Sequence, residues 1–175
     1  MYCELKTNRL LLRPLNISDL CSVYTYFSDE ANTRYMVRLP DKSKEETLQF
    51  LSKVTDEWKK DNPICYEFAI VFNGEQIGNV SIALNEERTV GELGWIIKKK
   101  YWKKGFALEA ALALKDFAIN ELKVLKLTAH CDCRNINSYR LMEKIGLKLE
   151  SDDGMRTYPK SGETSKELIY SLVIN

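Results

Sequence analysis

The chain has 175 residues, 45% of them hydrophobic and 29% charged, which fits one globular domain with a full core spanning residues 1–175. Its 26 Lys and Arg nearly balance 25 Asp and Glu, for a formal net charge of +1, and that balance argues against nucleic acid as the main partner. The first fifteen residues are broken by charge and no later run approaches a membrane span, so a cytoplasmic protein without export signal or membrane partner is expected.

Residues 9–14, Arg-Leu-Leu-Leu-Arg-Pro, read as a strand that proline stops. Ser18 and Asp19 then open a helical pattern through Leu20, Val23, Tyr24 and Phe27. A loop holding Tyr35 and Met36 covers residues 32–40. Ser43, followed three residues later by Glu46, has capping-box spacing. It leads Leu48, Leu51, Val54 and Trp58 into a second helix, which Asn62 and Pro63 end.

Residues 66–72 alternate as a strand, Asn73-Gly74 is a hairpin signal, and residues 76–84 return. A further turn feeds a short apolar run at 91–97, so three antiparallel strands are expected. The period then changes. From Ala107 to Leu122 apolar residues recur at steps of three and four among strong helix formers. The intervening turn carries Lys98, Lys99, Lys100, Lys103 and Lys104 together with Gly105, and it ends at a helix N-terminus. Unpaired backbone N–H groups and the helix dipole make such a place attractive to phosphate, and a glycine lets the anion approach the backbone.

Residues 126–131 follow in strand-helix-strand order, which places them parallel to the 91–97 strand. Asn135 reads as a helix N-cap, Tyr139, Leu141, Met142 and Ile145 as an apolar face, and Gly146 as the C-terminal stop. Residues 147–150 and 167–173 read as closing strands with a polar loop over 151–165; an edge strand at the carboxy terminus would permit a homodimer, and otherwise the protein is a monomer. Five scattered cysteines in a chain without an export signal read as reduced thiols. His130 beside Cys131 and Cys133 has no second ligand pair elsewhere, so no metal is expected.

Three linked motifs carry a resemblance. Tyr101-Trp102-Lys103-Lys104-Gly105-Phe106-Ala107, continuing as Leu108-Glu109-Ala110, resembles the acyl-CoA pyrophosphate loop of the GNAT superfamily of N-acetyltransferases, with Trp102 where the family pattern has Gln or Arg. Glu92-Leu93-Gly94 before it, and Asn135, Ser138 and Glu143-Lys144-Ile145-Gly146-Leu147 after it, are similar to two further segments of that family. The wording is that of the RimJ/RimL-like branch, which includes the ribosomal-protein alanine acetyltransferases. The resemblance implies an α/β fold (α+β by arrangement): a twisted mixed sheet of six to seven strands, mostly antiparallel, with one splayed parallel pair forming the acyl-CoA cleft and helices on both faces. It implies acetyl-CoA as co-substrate and transfer of its acetyl group to a primary amine, on a small molecule or a protein N-terminus, through a tetrahedral intermediate. The alternative is a catalytically silent acyl-CoA-binding module.

The resemblance further implies backbone contacts to the pantetheine arm from Trp95 and Ile97, with Ile96 and Lys98 alongside and a backbone N–H near Trp95 or Ile96 for the oxyanion. Trp102, Lys103, Lys104, Gly105, Phe106 and Ala107 would hold the pyrophosphate, and Asn135, Ser138 and Lys144 the other wall. Glu92 is the first choice for the base that frees the amine of its proton, with His130, Asp132 or water in reserve. Ser138 is the choice for protonating the leaving thiolate, with Tyr139 next to it. Where the branch usually has aspartate four residues before a tyrosine matching Tyr170, this chain has Lys166, with Glu167 beside it.

Overall fold

A computed structural model describes residues 3–37, 40–159 and 161–174; the expected 32–40 loop falls partly outside them, at Arg38 and Leu39. Strands β1 (Leu5–Lys6) and β2 (Leu11–Pro14) precede helices α1 (Leu20–Phe27), α2 (Glu30–Thr33) and α3 (Lys44–Glu57). Strands β3 (Cys65–Phe72), β4 (Glu75–Leu84) and β5 (Val90–Ile97) lead to α4 (Phe106–Asn120), then β6 (Lys126–Asp132), α5 (Ile136–Lys144), β7 (Lys148–Thr157) and β8 (Thr164–Val173). The described strands form one sheet in the order β1-β2-β3-β4-β5-β6-β8-β7.

Hydrophobic alternation puts two cores on the two faces of this sheet. On one face Val23, Tyr26 and Phe27 of α1 and Leu51 and Val54 of α3 pack with Ala69 and Ile96. On the other, Ala110, Ala111, Leu114 and Phe117 of α4 bury Phe68, Ile70, Val80, Ile82, Leu93 and Ile97. The chain turns from β3 to β4 at Asn73 and Gly74, both with positive φ (48° and 80°), as the hairpin signal requires. Parallel pairing of β5 with β6 is limited to Val90–Glu92 against Lys126–Thr128. Beyond Glu92 the two strands part, and the wedge between them opens the site.

Several local readings change. The sheet has eight strands because a two-residue edge strand, β1, is added at the start and pairs with β2. Residues 151–157 belong to β7 rather than to a loop; their side chains are mostly exposed, so no apolar alternation marks them as a strand. The carboxy-terminal strand is interior, since β8 lies between β6 and β7 and the sheet edge is β7. Asn16, not Ser18, caps the first helical turn, its side chain accepting from the Ser18 amide. Ser43 makes no capping bond; Glu46 instead accepts from the Lys42 amide at 2.8 Å. Helix α2 occupies the start of the expected loop, nucleated by Asp29, whose carboxylate accepts from the amides of Ala31 and Asn32.

Candidate active site

The Lys98 amide donates to the Ile77 carbonyl of β4 at 2.8 Å. Strand alternation therefore sends the Ile96 amide to the same ladder, opposite Asn79, and turns the backbone groups of Trp95 and Ile97 toward the wedge left by β6. There the Ile97 carbonyl accepts from Asn32 Nδ2 at 2.8 Å and from Trp102 Nε1 at 2.6 Å. The unusual Trp102 thus ties the loop back to the end of β5.

The turn into α4 needs two left-handed residues, Lys103 (φ 59°) and Gly105 (φ 81°). Phe106 is buried beneath the loop, and the Arg9 guanidinium lies 4.5 Å over its ring while donating to the Lys104 carbonyl at 3.1 Å. Glu109, from the Leu108-Glu109-Ala110 continuation of the loop motif, is the anchor of this arrangement. It accepts from Thr7 Oγ1, from the Arg9 amide and from Arg9 Nε. Burial would raise its pKa, but those bonds win and hold it below the ordinary carboxylate range. The first turn of α4 is therefore presented on a braced loop.

The lysines divide. Lys98 Nζ donates to Ser22 Oγ at 2.8 Å and lies 3.4 Å from Glu75 Oε1; Lys100 lies 2.8 Å from the same oxygen, and Tyr101 donates to Oε2 at 2.7 Å. Lys100 and Tyr101 thereby draw the Glu75 carboxyl down to about 2. Lys104 Nζ sits 5.2 Å over the Tyr101 ring. Of the five turn lysines, Lys103 lines the cavity, and Lys98 and Lys104 do not.

The cavity measures about 640 Å³, a size suited to a small-molecule ligand. One wall is Trp95, Ile96, Ile97, Trp102, Lys103, Gly105, Phe106 and Ala107; the other is Asn135, Asn137, Ser138, Arg140, Leu141 and Lys144 of α5 and its cap. Ala31, Asn32, Tyr35 and Met36 close one end. Arg140 was not foreseen, although Asn137, Arg140 and Lys144 recur at helical spacing and share a face. Positive charge thus comes from both walls.

Asn135 Oδ1 accepts from the Ser138 amide at 3.3 Å, which fixes the start of α5. Burial pushes the neighbouring Cys131 thiol up to about 11 against the opposing pull of Arg156 and Ser138. Tyr139 is half-buried against the core and does not line the cavity. Glu92 is exposed at the vertex of the wedge, opposite Ala83 of β4 and Thr128 of β6, outside the cavity lining.

His130 Nδ1 lies 3.9 Å from Glu167 Oε1, an oxygen that also accepts from Arg156 Nη2 at 2.7 Å. Arg156 Nη1 donates to the Tyr35 carbonyl at 3.3 Å. Asp132 is fully buried and accepts from the Arg134 amide, Arg134 Nε and Nη2, and Tyr158 Oη. Burial opposes ionisation there, but the Arg134 and Tyr158 bonds outweigh it and hold the carboxyl far below its ordinary range. Lys166 reaches Asp152 at 2.6 Å. Among the described residues no cluster of three or more His, Cys, Asp or Glu is placed to hold a metal, and no helix is long and apolar enough to cross a membrane.

Comparisons with known proteins agree with this geometry. Residues 9–148 match the model of a GNAT acetyltransferase domain. The chain is 30% identical over 174 residues to an uncharacterized N-acetyltransferase of Bacillus subtilis, YnaD, covering 97% of this chain and 96% of that protein. A GNAT-family acetyltransferase structure from Bacillus anthracis superposes with a TM-score of 0.84 at 29% identity, over 98% of both chains. The fold is also that of RimL, a ribosomal L7/L12 α-N-protein acetyltransferase solved in complex with coenzyme A, with a TM-score of 0.87 at 16% identity over 98% of both chains. A braced helix-start loop, a splayed parallel pair and a family match across most of the sequence lead to one conclusion: this chain is an acetyltransferase of the GNAT family.

Proposed function

We propose that the protein transfers the acetyl group of acetyl-CoA to a primary amine, on a small molecule or a protein N-terminus, by direct attack in the wedge between β5 and β6. The observation that carries this reading is that one cavity is lined by both motif segments, with the β5 backbone that β6 leaves unpaired beyond Glu92 between them. The outward-facing amide and carbonyl of Trp95 and the amide of Ile97 would pair with the pantetheine arm, as an added strand would, while the Ile97 carbonyl stays with Asn32 and Trp102. The first-turn N–H groups of α4, with Lys103, Arg140 and Lys144, would hold the pyrophosphate from two sides.

Catalysis then needs three things from the chain. The Trp95 N–H is aimed into the wedge and suits an oxyanion donor, whereas the Ile96 amide is engaged with β4. The Ser138 hydroxyl, on the cavity wall, would give its proton to the departing thiolate. Glu92, exposed at the vertex on the face away from α4, would accept the amine's proton directly or through one water.

Thiol release from acetyl-CoA with a panel of primary amines tests the reading, alongside calorimetry of CoA binding to wild type and Gly105→Glu. Wild type should bind CoA and release thiol in an amine-dependent way, and a folded Gly105→Glu should lose most of its affinity. CoA binding without transfer to any amine would make the protein a silent binding module instead, and unchanged affinity in the folded variant would remove the loop from the cofactor site.

A further inference from the structure

The carbonyl of Ile97, at the end of β5, is already fully engaged. It accepts from Asn32 Nδ2 at 2.8 Å and from Trp102 Nε1 at 2.6 Å, and a carbonyl oxygen has only two lone pairs to offer. A ligand laid along this part of the wedge therefore meets two amides, those of Trp95 and Ile97, but only the Trp95 carbonyl as a backbone acceptor. The extended arm of CoA carries two amide N–H groups, and each needs an acceptor once it leaves water. One acceptor is missing from β5.

Asn32 supplies it. Its partly buried side chain lines the cavity beside Ile97. Only the Nδ2 end of the amide can donate to the Ile97 carbonyl, so the orientation of the group is fixed and Oδ1 is left over. No described residue donates to that oxygen. The backbone behind it is held as well. The Asp29 carboxylate accepts from the amides of Ala31 at 2.7 Å and Asn32 at 3.1 Å, and the Asp29 carbonyl accepts from the Thr33 amide and hydroxyl, both at 3.0 Å. Farther along, Arg156 of β7 donates to the Tyr35 carbonyl at 3.3 Å while it pairs with Glu167 of β8. The segment is thus tied to β5 through Asn32 and to the β7–β8 hairpin through Tyr35, and it crosses from one side of the wedge to the other. A polar group fixed in advance in this way loses little freedom when a ligand binds.

We infer that Asn32 is a cofactor-binding residue whose Oδ1 accepts an amide N–H of the pantetheine arm in place of the Ile97 carbonyl, which Asn32 Nδ2 and Trp102 keep occupied. This rests on the acetyl-transfer reading above and adds to it a contact from outside both motif segments. Ile97 lies toward the loop that would take the pyrophosphate, and Trp95 lies deeper in the wedge. The N–H that Asn32 takes is therefore that of the amide nearer the phosphates, and the amide nearer the sulfur falls to the Trp95 carbonyl.

Calorimetry on wild type, Asn32→Ala and Asn32→Ser tests this with CoA, with adenosine 3′,5′-bisphosphate, which lacks the arm, and with a CoA analogue carrying an ester oxygen in place of the N–H of the amide nearer the phosphates. Wild type should bind CoA about 5- to 100-fold more tightly than the ester analogue, the span expected when a buried group loses its hydrogen-bond partner. Asn32→Ala should weaken CoA by a similar factor, shrink the preference for CoA over the ester analogue to within about threefold, and hold the bisphosphate as wild type does. Asn32→Ser, with a hydroxyl too short to reach the arm, should behave in the same way, and both variants should melt near the wild-type temperature because Trp102 still donates to the Ile97 carbonyl. Equal wild-type affinities for CoA and its ester analogue overturn the contact without need of a variant. Unchanged CoA affinity in the variants overturns it and leaves the cofactor site standing; so does a loss that falls equally on CoA and the ester analogue, or on the bisphosphate, which is what a merely structural tether predicts. If wild type binds CoA no better than the bisphosphate, the arm does not lie in the wedge and the assignment fails. If wild type binds neither, the cofactor site itself fails, and the transfer reading with it.

Discussion

Gly78→Ala is the change to which this fold should be most sensitive for its size. Gly78 of β4 faces Ile97 of β5, and a Cβ built on it falls well inside contact distance of the Ile96 carbonyl oxygen and 2.9 Å from the Ile97 Cα. Both obstacles are backbone, so no rotamer change relieves them, and β4 and β5 must separate where β5 forms the cavity wall. Overpacking of one methyl costs up to about 3 kcal/mol when the surroundings cannot give. In a domain of this length that corresponds to a fall in melting temperature of roughly 6–12 °C. Gly91→Ala is the internal control, because the nearest atom there is the flexible Ile82 Cδ1, 2.5 Å away, and the loss should stay below about 1.5 kcal/mol. Denaturant melts of the three proteins, with CoA calorimetry on each, check both halves. Gly78→Ala should also weaken CoA, since the displaced residues include Ile96 and Ile97. A Gly78→Ala protein as stable as Gly91→Ala, with wild-type CoA affinity, would refute the close approach of the two strands.

Three other outcomes are expected. Glu92→Gln should lower turnover about 10²- to 10⁴-fold, alter the acidic limb of the pH–rate profile and recover partly at high pH, with its melting temperature unchanged because the side chain is exposed; a wild-type-like profile in a stable variant would move the base elsewhere. Ser138→Ala should reduce kcat more than it changes KM for acetyl-CoA, since a proton donor acts in the transition state; if steady-state kinetics show Tyr139→Phe to be the damaged variant, the role moves one residue on. Asp132→Asn should cost about 2–3 kcal/mol near neutral pH, the price of weakening a buried charged acceptor. The folded-state pKa of Asp132 is depressed, so its contribution is present above the unfolded value of about 3.9 and is lost as pH falls below it. The gap between the melting curves of the two proteins should accordingly begin to narrow below about pH 4 and go on narrowing as pH falls toward the depressed folded-state value, and a gap that does not narrow at all in acid would show that the carboxylate's charge is not what stabilises the site.

The central motifs were legible because each has a local cause. Asn73-Gly74 demands positive φ, Gly105 is required at a left-handed helix start, and the Asn135 cap and Gly146 stop bound α5 chiefly by short-range bonds. Alternation in β3 to β5 was readable because those strands bury one apolar face under α4 while the other face carries polar residues such as Glu67, Asn79, Ser81 and Glu92. The β7 residues 151–157 were not readable, since a strand at the sheet edge with exposed side chains carries no hydrophobic period.

Charge shows the same division most clearly. Five turn lysines follow one another in sequence, yet Glu75, brought next to the turn by the β3–β4 hairpin, engages Lys98 and Lys100, and the cavity receives Lys103 together with Arg140 and Lys144 from another helix. Glu67, Ser81 and Gly94 likewise stand in one row only through strand register. Sequence by itself determined the central elements from β2 to α5 apart from α2, their order and the two motif segments that the cavity later brings together, because periodicity, caps and turns act over a few residues. Which charges line the cavity, and which carboxylates share a sheet face, was decided by the tertiary structure alone, because pairing between residues far apart in the chain depends on register and helix orientation that no local pattern encodes.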